Sequence, residues 1–215
     1  MKKWLSVLVT VILVLSMATA FAAPSKTTSD LAKAVGMTLA DGTTSSEPAV
    51  IIVPDTTMTL EEVEKLYKHV SGGENAVSYF DDDTQKAILE TLNKDATSPL
   101  VLDDLKDWEI DEFVTVDDNK YDESMGDVKV QFQVATPYEP DQKLVAMIGN
   151  YDGTRTEVAP NVFEFNSEWS ALEASVVENT TDGSVVEVTF TKDDMVKMGE
   201  NVSTAMAFLS EPVKK

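Results

Sequence analysis

Few side chains in this sequence have the type and spacing that catalysis needs. His69 is the only histidine, and a Ser-His-Asp hydrolase would need it beside an oriented serine. The Gly-x-Ser-x-Gly pattern that presents such a serine occurs nowhere in the chain. The absence of cysteine excludes thiol nucleophiles and zinc-thiolate sites. We therefore interpret His69 as a helix-end histidine rather than as a general base.

Carboxylates are the abundant reactive groups. The chain has 38 Asp and Glu against 17 Lys and Arg, which gives a formal net charge of -21. A secreted hydrolase that uses two opposed carboxylates is one alternative function. With so many acids, however, chance pairs are certain, and the pattern alone selects no catalytic pair.

The acidic segment from Asp103 to Asp127 contains eleven acids and two lysines. Within it, Asp117, Asn119, Asp122 and Glu123 place oxygen ligands close together, as calcium requires. The spacing does not match an EF-hand, because no glycine occupies the sixth position of the loop. Calcium is the one cofactor candidate, and a solvated acidic loop is the simpler interpretation.

Four aromatic residues are candidates for ligand contact, above all for stacking on a glycan: Trp108, Trp169, Tyr138 and Tyr151. On an alternating strand, the indole of Trp169 falls on the more polar side. The competing interpretation is that Trp169 covers one end of the core, as tryptophan commonly does.

The charge of the chain limits its partners. An acidic surface repels nucleic acid, whose binding depends on cationic contacts to phosphate. It also repels anionic lipid surfaces. Basic partners and divalent cations are attracted.

The N-terminus has the three parts of an export signal: a basic start, an apolar run and small residues at the cleavage positions. These are Met1 to Lys3, Leu5 to Leu15, and Ala20 with Ala22. We predict a signal peptide over residues 1–22 and no membrane insertion after cleavage. The alternative is an uncleaved N-terminal anchor, since the apolar stretch approaches the length of a membrane span.

The next segments differ in composition and periodicity. Residues 23–48 are rich in Ser, Thr and Ala and predict a flexible arm with a short helix over 30–35. Residues 49–98 predict a small α/β unit of strand, helix, strand and helix. Its strands are expected over 49–53, buried on both faces, and over 76–80. Its first helix is expected to start at a capping box formed by Thr59 and Glu62.

From residue 99 to 211 the apolar period changes to two, which is typical of antiparallel strands. Strands are expected over 113–116, 128–134, 143–148, 172–177, 185–190 and 202–209. A capping box of Thr191 and Asp194 predicts a short helix before the last strand, and residues 212–215 form a tail. The stretch from about Phe113 to Leu209 resembles a bacterial Ig-like or fibronectin-like module, although it lacks the cysteine pair of antibody domains. The resemblance implies a sandwich fold and no function.

The sequence as a whole predicts an α+β protein: a small N-terminal α/β unit followed by an antiparallel Ig-like β-sandwich. We expect an acidic protein, secreted or associated with the bacterial cell wall, that acts by binding rather than by catalysis. Its expected partner is a cell-envelope or host protein or a glycan. The alternatives are a calcium-assisted adhesion or scaffold protein and the carboxylate hydrolase.

Overall fold

The computed structural model describes residues 32–213. The predicted signal peptide, the start of the predicted arm and the last two residues lie outside this range. The strands are β1 (Lys33–Leu39), β2 (Thr44–Ser45), β3 (Val50–Val53), β4 (Glu109–Asp118), β5 (Val128–Val134), β6 (Leu144–Ala159), β7 (Val162–Thr180), β8 (Gly183–Phe190) and β9 (Ser203–Ser210). The helices are α1 (Thr57–Ser71), α2 (Asp82–Asn93) and α3 (Lys192–Glu200). No helix within the described range is long and apolar enough to cross a membrane.

The nine strands form one antiparallel sheet in the order β2-β1-β5-β8-β7-β6-β9-β4-β3. Strand β7 joins the two halves of the sheet, because its first part pairs with β6 and its last part with β8. The sheet curls enough for β1, which is next to one edge, to contact β3, which forms the opposite edge. The predicted α+β class is confirmed.

Two apolar clusters lie on opposite faces of the sheet. The inner core fills the space between the two halves and includes Phe132, Val188, Ile148 and Phe208. The outer core lies where α1 and α2 cover strands β4, β9 and β6. The central strands are therefore buried on both faces, and the molecule has three layers.

The helix ends follow local capping chemistry. Asp81 caps α2 by accepting a hydrogen bond from the backbone N–H of Thr84 at 2.8 Å. Thr191 and Asp194 form the predicted capping box of α3. The prediction for α1 is wrong in detail, because Thr56 is its N-cap and accepts from the backbone N–H of Thr59.

Three further local predictions are corrected by the structure. Residues 76–80 form a 3-10 turn (Ala76–Tyr79), because the Asn75 side chain caps it and its apolar side chains pack into the outer core. The helix expected over 30–35 is replaced, within the described part, by β1, which pairs with β5. Strand β3 is half-buried along most of its length rather than buried on both faces, because it lies at an edge of the sheet.

The elements of the predicted N-terminal unit share the sheet and the outer core with the later strands. Strand β3 pairs with β4 from Val50 opposite Asp118 to Val53 opposite Thr115. Helix α2 contacts β7, and α1 contacts both β4 and β9. The boundary expected near residue 98 therefore lies between elements that pack together.

Gly149 provides a test of this packing. A Cβ atom at Gly149 would lie 2.7 Å from two carbons of the Trp169 ring, whereas one at Gly36 would lie 3.4 Å from its nearest neighbour, the carbonyl oxygen of Ser45. We expect Gly149→Ala to lower the free energy of unfolding by about 1–3 kcal/mol, because it overpacks the core. Gly36→Ala is the matched control and should change it by less than about 1 kcal/mol. Urea denaturation measures both, and equal stability of the two variants would contradict the packing described.

Candidate functional site

The four aromatic candidates do not form one surface. Tyr138 is buried in the inner core, and Tyr151 is buried in the outer core. Trp169 is half-buried and packs against the outer core, with 5.3 Å between the centroids of its ring and the Phe80 ring. Trp108 is also buried, but it lines a surface groove. Only Trp108 therefore leads to a candidate site.

The four predicted calcium ligands make internal bonds. Asp117 accepts from the N–H of the next residue, and Asp122 accepts from the N–H of Ser124, both at 2.9 Å. The Asn119 amide donates to a backbone oxygen, and Glu123 lies 2.8 Å from the Lys192 ammonium. Within residues 32–213, no group of three or more His, Cys, Asp or Glu side chains is arranged to hold a metal. The calcium site stays a prediction.

The groove that Trp108 lines lies at the start of β4 and has a volume of about 250 Å³. One wall is the C-terminal half of α1, where Tyr67 and Val70 are 45% and 37% exposed. A second wall is the short segment Glu74 to Ala76. The third is the continuous run from Lys106 to Asp111. We call this concave surface the edge groove.

His69 fixes one wall of the edge groove. Its Nε2 atom lies 2.9 Å from the Ser78 hydroxyl and 3.1 Å from the Asn75 carbonyl oxygen. Its ring and the ring of Tyr79 pack in a T-shaped arrangement, with 5.5 Å between the ring centroids. These contacts tie the last turn of α1 to the 3-10 turn that follows. The position matches the interpretation of His69 as a helix-end residue with a structural role.

A β-bulge sets the other end of the groove. The register between β4 and β9 shifts between Asp111 and Val114, and Glu112 there adopts a left-handed φ of 50°. The Glu112 carboxylate is buried and accepts hydrogen bonds from the backbone N–H and the hydroxyl of Thr136, both at 2.7 Å. These bonds satisfy the buried charge and hold the bulge in place.

The edge groove is negatively charged, and few of its carboxylates are balanced by basic groups. Its acidic lining residues are Glu74, Asp107, Glu109 and Asp111, and its single basic residue is Lys106. In the described part of the chain, none of these four carboxylates lies within 4.0 Å of a basic group, whereas Lys106 pairs with Asp103 at 3.9 Å. The groove therefore presents unpaired negative charge beside an apolar floor.

Asp111 is the most perturbed acid of the groove. Burial raises the pKa of its carboxyl group from the usual 3.8 to about 6. A hydrogen bond from the Ser210 hydroxyl, 2.9 Å long, opposes this rise in pKa. The negative charges of Glu109 and Glu112 add to it.

A larger cleft of about 580 Å³ lies between the end of α2, the segment before β6 and the outer faces of β7 and β8. Four acids and three lysines line it, so its charges nearly balance. Lys94 bonds Glu173, and Lys129 lies 3.3 Å from Glu187, which also accepts from Gln131. This cleft therefore offers less net attraction for a charged ligand than the edge groove, which has four acids and one lysine.

The sequence contained part of the signal for the edge groove. Tyr67 and Val70 follow the apolar spacing of α1, so their types alone indicated a core-facing stripe. The acidic segment from Asp103 to Asp127 is evident in the sequence, but the predicted calcium ligands lie in its second half and the groove residues in its first half. Pairing the helix end with the first half of that segment required the tertiary structure.

Comparison with known proteins gives no match: no protein-family model, no curated protein and no solved structure is significantly similar to this chain.

The raised pKa of Asp111 predicts a measurable pH effect. A carboxyl group whose pKa is higher in the folded than in the unfolded chain stabilises the fold at low pH. For Asp111 this stabilisation is complete below pH 3.8 and is lost as the pH rises through about 6. Asp111→Asn removes the titration and leaves an acceptor for Ser210. Between pH 4.5 and 7, we expect the free energy of unfolding of wild type to fall by about 2 kcal/mol relative to that of Asp111→Asn. Urea unfolding across this range measures the difference.

The control for this experiment is Asp182→Asn, at an exposed position. Its stability should follow the wild-type pH profile. If the stability of Asp111→Asn also follows the wild-type pH profile, the conclusion that burial raises the pKa of Asp111 is wrong.

Proposed function

We propose that this is an exported, acidic binding protein of the bacterial cell exterior. It binds a cell-envelope or host protein through the edge groove. The observation that carries the proposal is an apolar groove with exposed Tyr67 and Val70, rimmed by carboxylates that have no basic group within 4.0 Å among residues 32–213.

The size of the groove favours a protein partner over a small molecule. Pockets for drug-sized ligands typically enclose roughly 300–1,000 Å³, and the edge groove encloses about 250 Å³. That space suits one or two side chains of a larger partner. Aromatic residues such as Tyr67 are also enriched where protein interfaces are strongest.

The charge of the groove favours a basic partner. Four carboxylates and one lysine line it, and the whole chain carries a net charge of -21. Electrostatic attraction of this kind speeds association and excludes acidic competitors. Nucleic acid and anionic lipid are disfavoured for the same reason.

The finer description of the fold belongs to the same proposal. The inner core lies between two halves of an antiparallel sheet, which supports the Ig-like sandwich expected from the sequence. Sandwiches of this type commonly present binding surfaces at their ends and edges.

Export is proposed from the N-terminal residues. The basic start, the apolar run and Ala20 with Ala22 support cleavage after Ala22. The exported chain has no cysteine and cannot use disulfides, so its stability must come from core burial.

Mass spectrometry of the N-terminal peptide tests the export proposal. The protein from the culture medium or cell wall should begin at Ala23. Ala22→Leu should block this cut, because the position before a cleavage site needs a small residue. Recovery of an intact N-terminus in the membrane fraction would show instead that the segment is retained as an anchor.

Capture of the partner tests the groove. Immobilised protein is incubated with cell-envelope or host extracts, and the retained proteins are quantified by mass spectrometry. The double variant Tyr67→Ala and Val70→Ser should retain at least about fivefold less of the specific partner, because it removes the exposed apolar contacts.

Leu60→Ala is the matched control. Leu60 is 50% exposed on the same helix and lies outside the groove. It should capture as much partner as wild type. Equal capture by wild type and the groove variant would contradict the proposed function, and capture of a glycan alone would assign a different class of partner.

A further inference from the structure

We propose that the edge groove binds an extended peptide segment in which basic and apolar residues alternate, and that this segment adds as a strand beside the first part of β4. The inference rests on the proposed function and names the chemistry of the partner. Strand addition of this type obtains affinity from main-chain hydrogen bonds and specificity from alternate side chains.

The first observation is an edge of β4 without a strand partner. Strand β3 pairs only with Thr115 to Asp118 of β4. Between Glu109 and Asp111, the only ladder partner of β4 among residues 32–213 is β9. In an antiparallel ladder, the N–H and C=O groups of every second residue point away from the existing partner. A strand edge of this kind is a template for another chain.

The second observation is the lining of the groove. Every residue from Lys106 to Asp111 contributes to it. Successive side chains of an extended chain point to opposite faces. A cavity on one face of β4 would therefore be lined by every second residue there. Lys106 to Trp108 lie in the turn before the strand, but Glu109, Ile110 and Asp111 are three successive residues of β4 and all line the groove. The groove therefore follows the strand edge itself, where both faces are within reach.

The third observation is that the two faces differ in chemistry. Trp108 and Ile110 point into the outer core, on the side where α1 supplies Tyr67 and Val70. Glu109 is exposed. The half-buried Asp111 accepts a hydrogen bond from the Ser210 hydroxyl. Ser210 follows Leu209, the last β9 residue in the outer core, so its side chain lies on the opposite face. One side of the edge is thus apolar, and the other is acidic.

These three observations define the ligand. A peptide paired with the edge of β4 must also place successive side chains on alternate faces. Its apolar residues would meet Tyr67 and Val70, and its basic residues would meet Glu109 and Asp107. Residues two apart in a strand are separated by roughly 6.6–6.8 Å, so the spacing of basic residues in the peptide matches that of Glu109 and Asp111 in β4, with Asp107 in the turn before the strand.

Binding of defined peptides to the full exported chain tests the inference. The probe is acetyl-Leu-Lys-Leu-Lys-Leu-Lys-amide, and its control is acetyl-Leu-Leu-Leu-Lys-Lys-Lys-amide, with the same composition and charge. Isothermal titration calorimetry should show that the alternating peptide binds at least about fivefold tighter, because only it matches both faces at once. When it binds, hydrogen exchange should slow at those amides between Glu109 and Asp111 whose N–H groups point away from β9.

Two charge-matched double variants locate the interaction. Asp107→Asn with Glu109→Gln should weaken binding of the alternating peptide about fivefold at low salt. Asp182→Asn with Glu200→Gln removes the same charge from exposed positions outside the groove and should change it less than about twofold. Equal affinity of the two peptides, or equal losses in the two variants, would overturn the inference in favour of general charge attraction.

The outcomes separate this inference from the proposed function. If Tyr67→Ala with Val70→Ser abolishes partner capture while the alternating peptide does not bind, the groove is the partner site and strand addition is wrong. If the peptide binds and slows exchange at β4 while partner capture is unchanged in that variant, the proposed partner surface is wrong.

Discussion

The structure depends on a strand that is buried on both faces. In β9, Met206 and Phe208 point into the inner core, while Ala205, Ala207 and Leu209 point into the outer core. The side-chain period of a strand is two, so a slip of one residue would exchange the two sets. Met206 and Phe208 fill the space between the sheet halves, and the small side chains of Ala205 and Ala207 leave room for α1 on the other side. This single strand therefore fixes the register of the sheet and the place of the helical layer.

The position of the helical layer determines the groove. Helix α1 is held over the sheet partly by the β6–β7 hairpin, where Arg155 lies 3.0 Å from Glu61 and Lys65 lies 3.0 Å from Glu164. The buried Glu62 accepts a hydrogen bond from Tyr79, which follows α1 in the chain. Because these contacts hold the first part of α1 and His69 ties its last turn to Asn75 and Ser78, Tyr67 and Val70 stay beside the start of β4. The groove is thus a consequence of packing rather than of a flexible loop.

Local patterns predicted the elements that depend on local chemistry. The capping box of Thr191 and Asp194 and the strand alternation of β5 and β8 are visible in the residues themselves. The segment from Ala76 to Tyr79 was misread, because a short apolar run fits a strand and a buried turn equally well. The pairing of β1 with β5 joins residues about a hundred positions apart, and no local period encodes it. The edge groove has the same origin, since its helix wall and its strand wall are distant in sequence.

If the edge groove rather than another surface receives the partner, amide chemical-shift mapping of the labelled protein during titration with the captured partner will locate it there. We expect the largest shifts within residues 66–76 and 106–111. Shifts centred on the larger cleft around Lys94 and Lys129, with residues 106–111 unchanged, would contradict this expectation.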